Sequence, residues 1–202
     1  IMFKKITSTV AILTLTWAMT FAMSIDSEEK DAANNLAAQW IINDHKNNPE
    51  NYNLSDNVLR QEIAAVARWV AKLQKKEKCD NIFSDLSATN PNSWACVNVE
   101  VLIDNNLIAT NDNFRPEDKI TKSETLWMLI KAIWFDYEYD TNNSKNWQEQ
   151  IVEYAAEMDI IESFTDYNTE ATRWWVFKVA DVTIKKDVEI KIEKWIYSDE
   201  AM

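Results

Sequence analysis

The chain has 202 residues, 47% hydrophobic and 27% charged, with a formal net charge of −12. That is enough apolar material for a core in one or two domains, or in a few small repeats. The balance of 33 acidic against 21 basic residues argues against nucleic acid and against an anionic membrane as partners, because both call for a basic face.

The composition holds one anomaly. There is no glycine, and there are ten tryptophans. Average usage of about 7% would give roughly fourteen glycines. Glycine is the usual residue where a helix ends in the left-handed conformation. The expectation is that several of these tryptophans stand where glycine belongs.

In chain order, residues 1–24 read as a secretory signal peptide. Lys4 and Lys5 form the positive start, and Ile6 to Thr16 is an apolar run too short to span a bilayer. Ala18 to Ser24 supplies small residues before cleavage. A buried N-terminal helix is the alternative. No other run is long and apolar enough for a transmembrane helix. Export would place Cys79 and Cys96, the only two cysteines, in an oxidising compartment where an even pair favours a disulfide. Two free buried cysteines are the alternative. A metal site is disfavoured, because no C-x-x-C occurs and the single histidine, His45, lies far away in a polar loop and reads as solvated.

Three similar segments follow. The first has LAAQWII (Leu36 to Ile42), then NYNLSDNVLRQEIAAVARWVAKL. The second has SWACVNVEVLIDNNLIA, then DNFRPEDKITKSETLWMLIKAI. The third has NWQEQIVEYAAEMDIIES, then DYNTEATRWWVFKVADVTI. Each opens with apolar residues at helical spacing, such as Trp94, Val97, Val101 and Ile108, or Trp147, Ile151, Tyr154, Ala155 and Met158. Each first helix ends in an apolar pair: Ile41-Ile42, Leu107-Ile108 and Ile160-Ile161. The residues before these pairs are Trp40, Asn106 and Asp159. Asparagine and aspartate tolerate the left-handed conformation; tryptophan does not fit the series, and glycine would. A polar loop and a second helix complete each copy, with apolar faces such as Ile63, Val66, Ala67 and Val70, or Leu126, Leu129, Ile130 and Ile133. One such pair buries little, whereas three can share a core. The expected fold is mainly all-α: repeats at 25–78, 79–136 and 137–186, and a tail at 187–202. In that tail Val188, Ile190 and Ile192 alternate with charges, which suggests a short strand.

The second copy carries FSDL (Phe83 to Leu86), Trp94-Ala95, LIDNNLIA and NFRPEDKITKSE. With these motifs the chain resembles the S-layer homology domain family over roughly residues 30 to 185. The family signature, T-R-A-E-like, falls on Thr121-Lys122-Ser123-Glu124, on Leu59-Arg60-Gln61-Glu62 and on Thr172-Arg173-Trp174-Trp175. The first copy lacks the threonine, and the third lacks the glutamate. The first copy also lacks the F-x-D opening, and the third lacks F-x-P. The resemblance implies a three-fold helical bundle with ligand grooves between copies. It also implies that Arg60, Lys122 and Arg173 contact an anionic cell-wall polysaccharide, often one bearing pyruvate ketals.

The residues support this chemistry on their own terms. Thr121 and Glu124 have capping-box spacing. A helix N-terminus favours an anion, and an adjacent Lys or Arg adds charge-assisted hydrogen bonds. Trp94, Trp147 and Trp175 are candidates to stack on sugar, although Trp94 and Trp147 serve equally well as core anchors. The candidate ligand residues are thus Arg60, Glu62, Thr121, Lys122, Glu124, Thr172, Arg173, Trp94, Trp147 and Trp175. The expected function is non-catalytic anchoring to the cell wall, with no cofactor and no metal. An adhesin on the same scaffold and a wall hydrolase are the alternatives; no carboxylate pair stands out for hydrolysis, and G-x-S-x-G and H-E-x-x-H are absent. The repeat pattern explains Trp94, Trp147 and Trp175. It leaves Trp17, Trp40, Trp134 and Trp174 at positions suited to glycine, and Trp69, Trp127 and Trp195 without a reason. Strain or exposed indoles are expected at those seven positions.

Overall fold

The computed structural model describes residue 28, residues 30–134 and residues 137–199. The expected signal segment, with Trp17, lies outside the described residues. The chain is mainly helical: α1 (30–38), a short 3-10 turn at Pro49–Tyr52, α2 (Arg60–Val70), α3 (Ser93–Asp104), α4 (Lys122–Ile133), α5 (Trp147–Glu157) and α6 (Arg173–Asp199). Pairing between extended segments is confined, among the described residues, to isolated bridges such as Asn57 with Thr172, Leu59 with Lys119 and Thr121 with Glu170.

Those bridges mark the centre of the molecule. The Val58 N–H donates to the Ala171 carbonyl, Ala171 N–H to Ile120, and Ile120 N–H to Val58, each at 2.9 Å. The three bonds close a ring around a pseudo-three-fold axis, and all three side chains are buried in the common core. Just outside it the N–H groups of Arg60, Lys122 and Arg173 donate to the carbonyls of Asp118, Thr169 and Asp56, at 2.9, 2.9 and 2.8 Å. These satisfy donors that a helix start would otherwise leave unpaired. Each second helix is thereby seated on the loop of the next copy. The first helices close the outside: α3 packs on α2 and α5 on α4. Helix α1 joins α6 through Asn35 to Asp181 at 3.2 Å and Glu28 to Lys178 at 3.1 Å.

The first helices end as their sequence pattern implies. Trp40, Asn106 and Asp159 have φ of 61, 57 and 53°. In each copy the left-handed residue donates to a carbonyl three residues back. The next residue, Ile41, Leu107 or Ile160, donates to one five back at 2.9–3.0 Å. This is the Schellman arrangement, and the first residue of each apolar pair, Ile41, Leu107 or Ile160, is the buried apolar contact that accompanies it. Helix α3 stops at Asp104, so Ile108 lies beyond the helix in which its spacing placed it. Trp134, expected to behave like Trp40, has φ −112° and packs half-buried against the core. Among the described tryptophans Trp40 alone has a positive φ, and it is 81% exposed; Trp69 and Trp195 are exposed as well, whereas Trp127, Trp134 and Trp174 pack partly buried against the core.

The tail is not a strand. Helix α6 runs unbroken to Asp199, because nothing between Lys185 and Asp199 interrupts it and pairs one turn apart support it. Lys185 binds Asp181 and Lys191 binds Asp187, both at 2.6 Å. The alternation of Val188, Ile190 and Ile192 spans too few residues to outweigh helix continuation.

Cys79 and Cys96 form a disulfide with Cα atoms 5.6 Å apart. It ties the start of the second copy to α3. Fully buried Glu100 completes this corner by accepting the N–H groups of Asp80 and Ile82 at 2.7 and 3.0 Å. Lys76 bridges Asp80 at 2.5 Å and Asp104 at 3.0 Å. The Asp80 and Asp104 contacts hold the Lys76 ammonium above its ordinary value, and the hydrogen bond from Lys76 holds Asp80 below the usual carboxylate range.

Replacing both cysteines with serine should lower stability by about 3 kcal/mol, read as a lower urea midpoint; an unchanged midpoint would remove the cross-link from the account. The lowered Asp80 value means its contribution is present above the unfolded-state pKa and disappears as pH falls through the folded one. Lys76→Gln should therefore lower the melting temperature at neutral pH, with the gap from the parent closing in acid. A gap independent of pH would rule out the ion pair as its source.

Candidate binding clefts

The axial ring places the starts of α2, α4 and α6 side by side, so the signature residues of each copy face those of the next. Arg60 Nη1 lies 2.7 Å from Glu124 Oε1, and Arg173 Nη2 lies 2.5 Å from Glu62 Oε1. Each glutamate works twice. Glu124 Oε2 accepts the Thr121 N–H at 3.1 Å while Thr121 Oγ1 accepts the Glu124 N–H at 3.2 Å, a complete capping box. Glu62 Oε2 accepts the Leu59 N–H at 2.8 Å; leucine has no acceptor to return, so this cap is half made. Thr172 heads α6, with its carbonyl taking the Val176 N–H at 3.0 Å.

By the same rotation, Lys122 should meet a glutamate at position 175. Trp175 stands there, and the Lys122 ammonium lies 5.4 Å from its ring centre and 5.7 Å from that of Phe164. A cation–π contact replaces the ion pair. Trp175 is buried, so its ring serves the core and Lys122 rather than an open surface.

Two open clefts occupy the other two junctions. One, of about 630 Å³, is lined by Arg60, Glu124, Asn113, Phe114, Tyr139 and Trp147, among others. The second, of about 520 Å³, is lined by Arg173, Glu62, His45, Tyr52 and Trp94, among others. They share one construction: a basic residue from one copy, the body of the next, and a tryptophan from the copy after that. Trp94 and Trp147 each lie twelve residues before a left-handed helix end, Asn106 or Asp159. The corresponding position before Trp40 is Glu28, which pairs with Lys178. The Lys122 junction therefore has neither the carboxylate nor the rim tryptophan.

Trp94 is half exposed at the start of α3 and borders its cleft instead of anchoring the core. Trp147 is partly buried, edge-on to Trp127 at 5.9 Å. His45 is half-buried, its ring edge against Tyr52 at 5.4 Å, rather than freely solvated. Burial, with Tyr154 adding to it, pushes the Tyr137 phenol up to about 12. Cys79, Cys96 and Glu100 offer ligand atoms within 4.8 Å of one another, but the sulfurs are bonded to each other and the carboxylate holds two backbone N–H groups.

Sequence reasoning missed the support beneath Arg60. Asp85 accepts the N–H groups of Phe114 and Arg115 at 2.8 and 2.7 Å. Phe114 in turn takes Arg60 Nε on its carbonyl at 3.0 Å and lies under the guanidinium, with the ring centre 5.3 Å away. The F-x-D and F-x-P motifs thus form one chain of support, Asp85 to Phe114 to Arg60. The signal was visible as motifs, but their mutual contact spans about thirty residues of sequence.

No family model matches the chain. Over 181 residues it is 23% identical to the middle cell wall protein of Brevibacillus brevis. That alignment takes in 87% of this chain and 16% of the relative, so the chain corresponds to a small part of that protein. Among the described residues no helix is long and apolar enough to cross a membrane.

Asp85→Ala leaves two backbone donors without their acceptor and frees the Phe114 loop. It should cost about 1–2 kcal/mol in chemical denaturation. A stability within experimental error of the parent would show that the loop is held by other means.

Proposed function

We propose that this chain is a non-catalytic, S-layer-homology-type module that anchors to the cell envelope by binding an anionic cell-wall polysaccharide in the Arg60 and Arg173 clefts. What carries the reading is the repetition of one construction at two junctions. In each cleft an arginine stands at a helix N-terminus, where both the guanidinium and the positive end of the helix dipole favour an anion. A sugar carboxylate, such as that of a pyruvate ketal, matches the guanidinium fork. Trp94 or Trp147 at the rim offers a face for the sugar ring. The chain is acidic overall, so attraction to such a polymer is confined to these corners and does not rest on net charge. At the third junction Lys122 is engaged by two aromatic rings and is assigned a structural part. The similarity to a bacterial cell wall protein agrees with an exported location.

Pull-down with purified cell-wall sacculi tests this. The protein should sediment with sacculi and stay in solution once the secondary polymer has been extracted from them. Arg60→Ala and Arg173→Ala should each weaken binding by about tenfold, equivalent to about 1.4 kcal/mol, with Lys122→Ala the smallest effect of the three. Undiminished binding in the Arg60→Ala, Arg173→Ala double variant would refute the cleft assignment. Release of soluble sugar on incubation would point to a hydrolase instead.

A further inference from the structure

The two clefts use equivalent positions under the three-fold rotation, with Arg60 for Arg173, Glu124 for Glu62 and Trp147 for Trp94, and they differ at several wall positions, including tryptophans that the repeat does not explain. Position 40 in the second cleft corresponds to Asn106 in the first. Trp40 holds the left-handed conformation at φ 61° with its indole in solvent, the conformation that costs every residue but glycine, and a bulky one most. Position 127 in the first cleft lies five residues after Lys122; the equivalent place after Arg60 is Ala65, which lines the second cleft. A small residue in one cleft thus stands at the place of an indole in the other. The chain has ten tryptophans and no glycine, so one substitution rule would account for both mismatches.

We propose that positions 40 and 127 are glycine in the protein as its own cell makes it, decoded from UGA codons, so that neither position puts an indole on a cleft wall. UGA is read as tryptophan under one variant genetic code and as glycine under another, which makes the exchange a matter of decoding. With glycine at 40 the helix end becomes an ordinary glycine Schellman turn. With glycine at 127 the floor of the first cleft opens to match that at Ala65. The binding indoles are then Trp94 and Trp147, one to each cleft. The consequence for ligand rests on the cleft reading above, whereas the decoding claim stands apart from it.

Peptide mass spectrometry of the protein purified from its native host decides the matter. Glycine is expected at 40 and 127, with tryptophan retained at 94, 147 and 175. Tryptophan at 40 or 127 overturns the proposal, as do UGG codons there. Trp40→Gly in the recombinant chain tests the physical warrant: relief of the left-handed strain should raise the melting temperature by about 2–4 °C, and a fall would count against it. Neither readout involves polymer, so failed sacculus binding would leave this inference untouched.

Discussion

Three backbone hydrogen bonds among Val58, Ile120 and Ala171 govern the rest of the molecule. Each copy contributes one N–H and one carbonyl, so no copy can satisfy its own pair. Buried backbone groups need partners, which makes the three copies mutually dependent where the structure is driest. The ring also fixes registry. Two residues beyond it each second helix begins, and the second ring, through Arg60, Lys122 and Arg173, sets the rotation at which one signature meets the next. The clefts are a by-product of that rotation.

The capping carboxylates show how one group can serve fold and site together. Glu62 and Glu124 each hold the backbone at their own helix start and the arginine of a neighbouring copy. The arginine is thus held in place in advance, which under the proposed role would lower the entropy lost on binding. The third copy departs from this pattern, with Trp175 in place of the glutamate. Its indole fills core volume and holds the lysine by its ring face, so the bundle keeps its three-fold packing while losing three-fold chemistry.

Much of the fold was legible in the residues. Asn106 and Asp159 marked helix ends because few residues accept a positive φ, and Trp40 was conspicuous for the same reason. Thr121 and Glu124 marked a helix start because their spacing matches a capping box. The axial ring was not legible: valine, isoleucine and alanine in a loop look like any buried apolar residues, and their backbone partners lie in other copies. The partner of each signature cation was hidden for a similar reason, since within one copy Arg60 and Glu62 look like neighbours while their real partners are Glu124 and Arg173. The strand expected at Val188 to Ile192 failed because a two-residue period over so short a stretch is weak beside a helix already propagating with pairs such as Lys191 and Asp187.

Helix α6 has a mechanical meaning. It begins two residues after Ala171 in the axial ring and continues for 27 residues, about 40 Å at the usual rise, and beyond Ile184 none of its described residues is buried. A slack linker would dissipate tension before it reached the bundle. A rod rooted beside the axis delivers it directly to the hydrogen bonds that join all three copies, and any load on this helix is shared among them from the start.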